Sequence, residues 1–327
     1  QRLAHKLPDH PDVIFVRLDA YLLPGWQYNF MATLIRRENV CAIHLHHHVQ
    51  LYDLLLKLKS LFPDLMVIDS THIIEHQNGG FPRTSGVWTN YIDVHHVISH
   101  ELVTYYRDEF EVSDKVRLGR MLEPHDWNEP LNLMEPTLKV GQKTCKLVFV
   151  GRMVHQKRAP IMVEVARKLN VWAKKNSIEL KVDMVGTGAY RDTVVNMVRK
   201  AKLGQVVTLH DADADVPSLM QAADILVAPS SNEGLALVCY EAIENGAIPI
   251  STDVGGQREL VPTDLLTRNP VNQCVADTVA LVQRLMTDAA FLEKCKTDID
   301  FRYKDLRRDP TAQVVLGELY TNILKSA

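Results

Sequence analysis

The feature of this sequence that most constrains its fold is the alternation of short apolar runs with longer amphipathic stretches. Several runs are continuous in Val, Ile and Leu, which is typical of parallel strands covered on both faces. Because strand and helix patterns follow one another repeatedly, we predict an α/β fold with parallel sheets and right-handed crossovers. The predicted strands are Val13–Leu18, Val40–His46, Leu65–Ser70, Val94–Ser99, Lys146–Val150, Leu180–Val185, Val206–Leu209, Ile225–Ala228 and Ile248–Thr252.

The alternation is interrupted once, over Pro124–Lys143, a stretch with three prolines and weak periodicity that we interpret as a linker. A length of 327 residues suits two domains. We predict a first domain over residues 1–143, a second over 144–310, and a C-terminal segment over 311–327 that contains a last helix. Gln1 stands where an initiator Met would, so we expect the chain to begin part-way through its first domain.

The composition excludes several classes of protein. With 37 basic and 40 acidic residues the net charge is −3, so no basic field favours nucleic acid as a partner. No apolar run approaches the ~20 residues of a membrane-spanning helix. The five cysteines form no C-x-x-C pair, which argues against a zinc knuckle or a disulfide scaffold. The default expectation is a reduced, cytoplasmic compartment.

The first motif with chemistry is the turn Gly151–Arg158, which follows a predicted strand. A glycine at the end of a strand lets a ligand approach the backbone closely. Arg152 offers a bidentate fork for phosphate, and Lys157 adds a mobile point charge. A pyrophosphate is the natural partner of such a pair. The alternative interpretation is a surface turn with solvated charges.

The second motif is Ser230–Ala242, where we predict a helix over Leu235–Asn245 with Ser and Asn as N-cap residues. The free N–H groups near its start would then form an anion site. Glu233 precedes the helix, and Glu241 lies about 12 Å further along it. Carboxylates at that separation could accept hydroxyl groups of a sugar and of a ribose. Alternatively, Glu233 only stabilises the helix macrodipole and Glu241 is solvated.

Two further loops lie at predicted strand ends. Gly186-Thr187-Gly188 is weak evidence, because a tight strand-to-helix turn explains it equally well. The paired glycines of Asp253–Glu259 also allow close backbone approach. Ligands of open parallel sheets collect at the carboxyl ends of the strands, so these loops could border the same crevice as the first two motifs.

Taken together, these motifs resemble the nucleotide-sugar domain of family 4 glycosyltransferases, which are retaining enzymes of the GT-B fold with two Rossmann-like domains facing across a cleft. The order and spacing match over roughly residues 146–260. The resemblance implies a nucleoside-diphosphate sugar as donor and the last helix, about Thr311–Leu324, packing back toward the first domain. It implies the following donor-binding residues: Gly151, Arg152, Lys157, Gly186, Gly188, Asp211, Glu233, Gly234, Leu235, Ala236 and Glu241.

The roles that the resemblance implies are specific. Arg152 and Lys157 would hold the diphosphate, Glu233 the transferred sugar and Glu241 the ribose. The frequent glycine after the lysine is replaced by Arg158. In the loop near the base, the family's usual glycine is replaced by His210-Asp211, which leaves the identity of the base open.

The first domain matches the family more loosely. The run Val67–His72 resembles the family's strand whose histidine faces the reacting sugar, so His72 joins Arg152, Lys157 and Glu233 as a catalytic candidate, through its ring or its backbone carbonyl. The family's first strand and Gly-rich loop have no counterpart before Val13. Either that element is missing from this sequence, or the chain is an abbreviated member with altered chemistry.

The histidine run His44–His48 invites a zinc interpretation, but adjacent histidines on a strand point to opposite faces, so we predict no metal site there. With two cations for the leaving group, no metal and no cofactor are expected. We assign His46, His76 and Arg83 to the acceptor side. The last two lie in or beside the polar stretch Gln77–Gly86, which we interpret as a long loop that shapes an acceptor pocket or as a mobile surface loop.

The sequence thus predicts a glycosyltransferase that moves a sugar to a hydroxyl acceptor, in glycan or glycoconjugate biosynthesis. The acceptor could be a glycan, a lipid-linked sugar or a protein, and a peripheral position at the inner face of a membrane is left open. Two alternatives remain. One is another GT-B enzyme, such as a nucleotide-sugar 2-epimerase or a phosphorylase, although no lysine stands out as a pyridoxal carrier. The other is a non-catalytic glycosyltransferase-like binding subunit.

Overall fold

Two parallel β-sheets, one in each half of the chain, form the framework of the molecule. The computed structural model describes residues 24–75, 78–123, 125 and 133–326. The predicted strand Val13–Leu18 and part of the predicted linker therefore lie outside the described residues. The predicted division into domains at residues 143 and 310 stays a prediction. We use "first lobe" for the part built on the first sheet and "second lobe" for the part built on the second.

The first sheet has four parallel strands in the order β1-β2-β3-β4. Its strands are β1 (Ala42–His46), β2 (Met66–Thr71), β3 (Val94–Val97) and β4 (Val116–Leu118). The helices of this lobe are α1 (Gln27–Arg37), α2 (Val49–Leu61), α3 (Gly80–Val87) and α4 (His100–Phe110). Strands β2 and β3 are almost wholly buried, as continuous Val and Ile runs between two layers of helices should be. Strand β4 was not predicted.

The second sheet has six parallel strands in the order β10-β9-β8-β5-β6-β7. Its strands are β5 (Thr144–Val150), β6 (Glu179–Val185), β7 (Val207–His210), β8 (Ile225–Ala228), β9 (Ile248–Thr252) and β10 (Leu266–Thr267). Its helices are α5 (Ala159–Lys175), α6 (Arg191–Lys200), α7 (Val216–Ala222), α8 (Leu237–Glu244), α9 (Gln257–Leu260), α10 (Val271–Thr287) and α11 (Ala289–Leu306). The strand order reverses between β5 and β8, which makes a switch point where ligands bind in such sheets.

The last helix, α12 (Ala312–Ser326), returns from the second lobe to the first sheet. The residue before it, Thr311, forms a parallel bridge with Arg120, just after β4. The Ala312 N–H donates to the carbonyl of Arg120 over 2.7 Å. Further along α12, the Tyr320 hydroxyl hydrogen-bonds to Nδ1 of His44 on β1. The return of the chain to the first lobe is therefore attached at Arg120.

The lobes also share apolar packing. The main buried cluster of the second lobe includes Val97, Ile98, Leu102 and Tyr106, which belong to β3, α4 and the turn between them. A second, separate cluster lies within the first lobe around the inner face of α2, where Tyr52, Leu55 and Leu58 are fully buried. Helix α4 of the first lobe therefore packs into the core that the second lobe forms.

The predicted strands are confirmed with shifts of one or two residues at their ends, except for the stretch outside the described residues. The interpretation of Gln77–Gly86 as a loop was wrong from Gly80 onward, where α3 begins. Two glycines and a proline make this a poor helix by propensity. Tertiary packing overrides it, since the ring of Phe110 lies where a Cβ on Gly86 would stand, 2.4 Å away at the nearest atom.

Candidate active site

The loop between β5 and α5 carries the first predicted phosphate-binding residues. Lys157 folds back toward Gly151, where an added Cβ would lie 3.8 Å from Cγ of Lys157, at ordinary van der Waals distance. Arg152 is exposed, and its guanidinium makes no ion pair with any described residue. The two cations therefore differ, since Arg152 is available to a ligand without displacing anything and Lys157 is already engaged.

Lys157 is engaged by Glu233, the residue assigned to the transferred sugar. Lys157 Nζ lies 2.5 Å from Glu233 Oε1, and the two side chains are only 22% and 9% exposed. The fold thus brings two predicted donor-binding residues together from loops 76 residues apart. A nearly buried carboxylate needs such a partner, because an unpaired buried charge is costly. A diphosphate at this corner would have to share Lys157 with Glu233 or displace the carboxylate.

Arg158, which replaces the family's frequent glycine, keeps the backbone shape that glycine favours. Its φ is +49°, in the left-handed region. The strain is offset by its guanidinium, which donates to the carbonyls of Pro229, Ser230 and Asn269 and to the hydroxyl of Thr252, at 2.5 to 3.2 Å. Arg158 therefore joins the β5–α5 loop to the loop after β8, to the end of β9 and to the segment after β10.

The loop between β8 and α8 touches the first lobe directly. A Cβ on Gly234 would stand 1.7 Å from the backbone oxygen of His72. Only glycine allows the two backbones to approach so closely. Next to this contact, the side-chain amide of Asn232 donates to the carbonyl of Ile74 over 2.9 Å. The His72 carbonyl thus lies against Gly234, which leaves the imidazole as the part of His72 able to meet a ligand.

The helix after this loop begins two residues later than expected. The N-cap of α8 is Ala236, whose own side chain makes no capping hydrogen bond, so the predicted capping by Ser and Asn was wrong. The Ala236 N–H is taken by the side chain of Gln257, 2.8 Å away, and offers nothing to an anion. The anion site expected from the N–H groups near Gly234 and Leu235 therefore receives no N–H from Ala236, the next donor-binding candidate.

Gly186 and Gly188 lie against backbone of the β5–α5 loop. Cβ atoms at these positions would come within 2.1 Å of Gly151 O and 2.6 Å of Met153 O, and both glycines have positive φ. The Met153 N–H donates to the carbonyl of Thr187 over 2.8 Å. The G-x-G loop thus packs against the backbone of the loop that carries Arg152 and Lys157. This packing accounts for both glycines.

Asp211, assigned to the base loop, lies just beyond β7. Its carboxylate is 71% exposed and pairs with Arg191 over 3.0 Å. The same guanidinium donates to the carbonyls of Gly186 and His210. Nε2 of His210 lies 2.6 Å from Oδ1 of Asp183. Ion pairs and hydrogen bonds with Arg191 of α6 and Asp183 of β6 therefore hold this loop next to the G-x-G turn.

Glu241 lies in a pocket of about 410 Å³ between α8, the segment after β4 and the start of α12. Burial, and then the charge of Glu244 on the same helix face, raise the pKa of Glu241. Within the described part of the chain, the buried hydroxyl of Tyr240 and Nε of Arg307 have no hydrogen-bond partner, and both residues line this pocket. The pocket thus offers donors and acceptors to a hydroxyl-bearing ligand, and Glu241 is one of the carboxylates that line it.

Histidines from β1 and β2 form the first-lobe wall of the cleft. The His72 ring lies 4.9 Å from that of His47 and 6.3 Å from that of His46, between ring centroids. Burial, followed by the neighbouring histidines, lowers the pKa of His72 to about 4. No described residue satisfies its buried Nε2. A neutral imidazole with an unpaired nitrogen can accept or donate one hydrogen bond to a sugar hydroxyl.

His44, at the start of the histidine run, is held by hydrogen bonds inside the first lobe. His44 Nε2 lies 2.7 Å from Ser70 Oγ, which lies 2.8 Å from His96 Nδ1, so three adjacent strands are linked side by side. Burial lowers the pKa of His44 to about 3. Among the residues that the structure describes, no three His, Cys, Asp or Glu side chains form a group able to hold a metal ion.

Two of the three acceptor-side candidates lie among the described residues. His46 lies on the cleft wall, with its ring 4.1 Å from that of His44. Arg83 is exposed on the first turn of α3, beside Tyr105 of α4. His76 lies outside the described residues. Their acceptor role stays a prediction.

Sequence reasoning missed the polar residues that assemble the site. Gln156 joins the two phosphate-side loops, since its amide donates to Asn232 O and its carbonyl accepts from Ser231 N. Gln257 and Arg158 fix backbone in the same region. The available signal was their position, because each is a long polar side chain inside or directly beside a motif that we had already singled out.

A comparison with protein families decides the identity of this fold. The model of the family described as glycosyl transferases group 1 matches residues 135–299, just over half of the chain. This chain belongs to the group 1 glycosyltransferases. The matched residues include every strand of the second sheet and every loop that carries Arg152, Lys157, Glu233 and Glu241.

Individual relatives agree with this membership. A D-inositol 3-phosphate glycosyltransferase of an Arthrobacter strain is 31% identical over 163 residues, which are 48% of this chain and 37% of that protein. The group 1 glycosyltransferase described here thus spans less than half the length of the curated relatives that it matches.

Solved structures show the same GT-B fold. The pneumococcal O-GlcNAc transferase GtfA, in complex with UDP and GlcNAc, has a TM-score of 0.67 at 11% identity, covering 90% of this chain and 59% of that one. The Anabaena protein HepE in complex with UDP has a TM-score of 0.66 at 14% identity, covering 92% and 82%. At such identities the likeness establishes the fold alone: two Rossmann-like lobes that face across a cleft.

Within residues 24–75, 78–123 and 133–326, no helix combines the length and the apolar composition needed to cross a bilayer.

Proposed function

We propose that this chain transfers a sugar from a nucleoside-diphosphate sugar to a hydroxyl acceptor, with retention of configuration, as its resemblance to family 4 implies. The observation that carries the proposal is the corner formed by Arg152, Lys157 and Glu233. There Lys157 pairs with the nearly buried Glu233 at the carboxyl ends of β5 and β8, and Arg152, exposed and without an ion pair to any described residue, lies in the same loop as Lys157. We call these three residues the phosphate corner. Cations suit the phosphates of a nucleotide sugar, and a carboxylate beside them suits the hydroxyls of its sugar.

The mechanism follows from the charge that develops when the sugar–phosphate bond breaks. Negative charge grows on the diphosphate, and Arg152, Lys157 and the N–H groups of Gly234 and Leu235 stabilise it. The transferred sugar becomes oxocarbenium-like and lies toward the first lobe. We propose that Glu233 and the imidazole of His72 hold its hydroxyls, and that Glu241 holds the ribose.

Retention in this proposal needs no basic side chain of the protein. The departing phosphate takes the proton of the acceptor hydroxyl on the face from which it leaves, so the new bond forms on that same face. No metal ion is required in this scheme, because two cationic side chains already face the leaving group. The acceptor side is the wall of His46 and His47, with Arg83 and His76 as further candidates.

The donor class can be tested without knowing the acceptor. A thermal-shift screen with UDP-, GDP- and ADP-sugars detects a true donor, because a ligand of the folded state stabilises it by mass action. Solved neighbours in complex with UDP make UDP-sugars the first to try. At a hundred-fold excess over its dissociation constant, a donor adds about 2.7 kcal/mol of stability. If none of the nucleotide sugars raises the melting temperature, the result contradicts the proposal.

The rival functions separate in a second assay. A transferase consumes donor slowly in water and faster with an acceptor hydroxyl present. A nucleotide-sugar 2-epimerase instead converts its substrate with no acceptor, and a non-catalytic subunit leaves every donor intact. Chromatography of the sugar products of one incubation distinguishes the three. We place the protein in the cytoplasm, with a glycan, a lipid-linked sugar or a protein as acceptor.

A further inference from the structure

We propose that α9 ties the loop carrying Glu233 to the first lobe, and that Gln257 and Glu259, from neighbouring positions of this short helix, are positioning residues for sugar transfer. Gln257 holds the second-lobe loop, and Glu259 holds the first lobe. The orientation of the two lobes would thereby set the position of Glu233. This inference rests on the proposed function for its kinetic test, and it also has a structural test that needs no donor.

Gln257 is fully buried and uses both ends of its amide. Its Oε1 accepts the Ala236 N–H over 2.8 Å, and its Nε2 donates to Ser251 Oγ over 2.6 Å. Nε2 also lies 3.5 Å from Cys239 Sγ, in the first turn of α8. One side chain thus connects strand β9, helix α8 and the loop three residues after Glu233. Buried hydrogen bonds of this kind fix one geometry, because leaving a buried partner unsatisfied is costly.

Gly255 and Gly256, directly before Gln257, pack closely against the backbone of the loop that carries Glu233. A Cβ on Gly255 would stand 1.7 Å from the carbonyl oxygen of Glu233. The Gly256 N–H donates to the carbonyl of Gly234 over 2.7 Å, and a Cβ on Gly256 would also meet Cβ of Ser99 at 3.0 Å. The backbone of Glu233 and Gly234 is therefore enclosed between this segment and His72 of the first lobe.

Glu259 makes the opposite attachment. Its carboxylate accepts the N–H groups of His100 and Glu101 at 3.1 Å, at the start of α4 in the first lobe. It also pairs with Arg120 over 2.5 Å, and that guanidinium is 2% exposed. A carboxylate at a helix N-terminus is favoured by the free N–H groups and by the helix macrodipole. Glu259 thus attaches a helix and a buried arginine of the first lobe to the second.

These attachments lie two residues apart on a helix of four residues, which is too short to absorb a displacement. A shift of α4 relative to the second lobe would pull Glu259, and through it Gln257 and the loop of Ala236. Proper placement of Glu233 would then depend on the first lobe being in position, although Glu259 itself touches no part of the phosphate corner.

The kinetic test uses Gln257→Met, which roughly keeps the volume of the side chain and removes all the hydrogen bonds of its amide. Its control is Gln142→Met, because Gln142 also accepts a backbone N–H, from Lys139, and donates to a carbonyl, that of Thr144, at the entry to β5. We expect kcat for donor hydrolysis to fall roughly ten-fold or more in Gln257→Met, since small misplacements are costly in catalysis. The affinity for the nucleoside diphosphate should stay within about two-fold, and Gln142→Met should keep the wild-type kcat. An unchanged kcat in Gln257→Met, or an equal loss in both variants, overturns the role of Gln257.

The structural test uses Glu259→Gln and measures hydrogen exchange of the Ala236 amide. The Val182 amide, paired with Val206 O beside β7, reports any global loss of stability. We expect exchange at Ala236 to rise about ten-fold relative to Val182, because local opening of the loop becomes easier. The control is Asp288→Asn, whose carboxylate likewise accepts a helix N-terminal N–H and faces an arginine, within one lobe only. Unchanged exchange at Ala236 in Glu259→Gln overturns the coupling.

The two tests separate the inference from the proposed function. If no nucleotide sugar binds or reacts, the proposed function fails, and exchange at Ala236 still reports whether α9 couples the lobes. If donors react but the exchange rate of the Ala236 amide is the same in Glu259→Gln and in wild type, the coupling fails and the proposed function stands. A Gln257→Met variant that does not fold leaves the Glu259→Gln experiment decisive.

Discussion

At the scale of single residues, the phosphate corner contains two cations in different electrostatic states. Arg152 is exposed and unpaired within the described residues, whereas Lys157 neutralises a carboxylate that is 9% exposed. An exposed arginine contributes little to folding. A lysine that neutralises a buried carboxylate contributes more, because its removal leaves that charge unpaired. The two residues should therefore respond differently to the same substitution.

We expect Arg152→Ala to leave the free energy of unfolding within about 0.5 kcal/mol of wild type. Lys157→Ala should lower it by about 1–3 kcal/mol, because Glu233 loses its partner. Both should lower the rate of donor hydrolysis by about a hundred-fold, as expected when a group that stabilises the leaving phosphate is lost. Urea unfolding and a hydrolysis assay check this, and Lys157→Ala combined with Glu233→Gln should regain stability without regaining activity. Full turnover in either single variant would exclude its phosphate role.

Buried neutral histidines give the first lobe a pH dependence. His95 is fully buried, and its ring nitrogens lie 2.8 Å from Ser85 Oγ and 2.9 Å from Thr89 Oγ1. Burial, with a smaller effect of Lys115, lowers its pKa to about 4. Between about pH 6.5 and pH 4 the unfolded chain therefore binds a proton that the folded chain does not. Stability from this group is present above pH 6.5 and is lost as the pH falls through that window.

We expect His95→Gln to remove about 2 kcal/mol of the loss in stability between pH 7 and pH 5. The comparison is between two proteins at two pH values, so titrating groups remote from His95 cancel. Urea unfolding curves at both pH values provide the measurement. If wild type and variant lose the same stability on acidification, His95 is not neutral in the folded state.

At the scale of elements, strands were easier to predict than the short helices. Continuous apolar runs such as Ile225–Ala228 and Ile248–Thr252 mark buried parallel strands unambiguously, and their bounds are confirmed. Strand β10 has two residues and α9 has four, too few for any periodicity to appear. Helix α3 contradicts its own propensities, because its formation depends on contact with α4.

The part of the candidate site that could be predicted is the part that lies within sequence motifs. Glycines, cations and carboxylates at strand ends were found from the sequence, since their chemistry and spacing are local. The pairing of Lys157 with Glu233 depends on which strands lie side by side in the sheet. The capture of the Ala236 N–H by Gln257 depends on how two loops pack. Neither fact is encoded in the sequence near the residue concerned.

The contact between the β8–α8 loop and the first lobe depends on Gly234. We expect Gly234→Ala to lower donor hydrolysis by ten-fold or more, since the backbones of Gly234 and His72 must separate by an ångström or more. Gly204→Ala is the matched control, because a Cβ there meets no atom within 4 Å. Steady-state hydrolysis of the same donor by both variants is the measurement. Equal activity of the two variants would show that the close approach is irrelevant to the chemistry.

At the scale of the whole molecule, Arg120 joins the lobes. Its guanidinium pairs with Glu259 of α9 over 2.5 Å and with Asp309, before α12, over 2.6 Å, and it donates to the carbonyl of Ile98. It therefore contacts α9 of the second lobe and the segment that leads into α12. Burial opposes its charge, and the two carboxylates stabilise it and keep its pKa above the ordinary value.

We expect Arg120→Met to lower the free energy of unfolding by about 3 kcal/mol or more, because two largely buried carboxylates lose their partner. Arg268→Met should cost less than about 1 kcal/mol, since Arg268 is 64% exposed in its pair with Asp277. Urea unfolding followed by circular dichroism compares the two. Equal losses would mean that the Arg120 pairs contribute no more than an ordinary surface pair.

The central claim is that the second lobe holds a nucleotide sugar by its diphosphate between Arg152 and Lys157, with the sugar directed at the first lobe. A crystal structure of the complex with the nucleoside diphosphate that gives the largest thermal shift tests it most directly. We predict phosphate oxygens within hydrogen-bond distance of both cations and a Lys157–Glu233 pair that is opened or bridged by the ligand. A nucleotide bound elsewhere, with that pair unchanged, would contradict the claim.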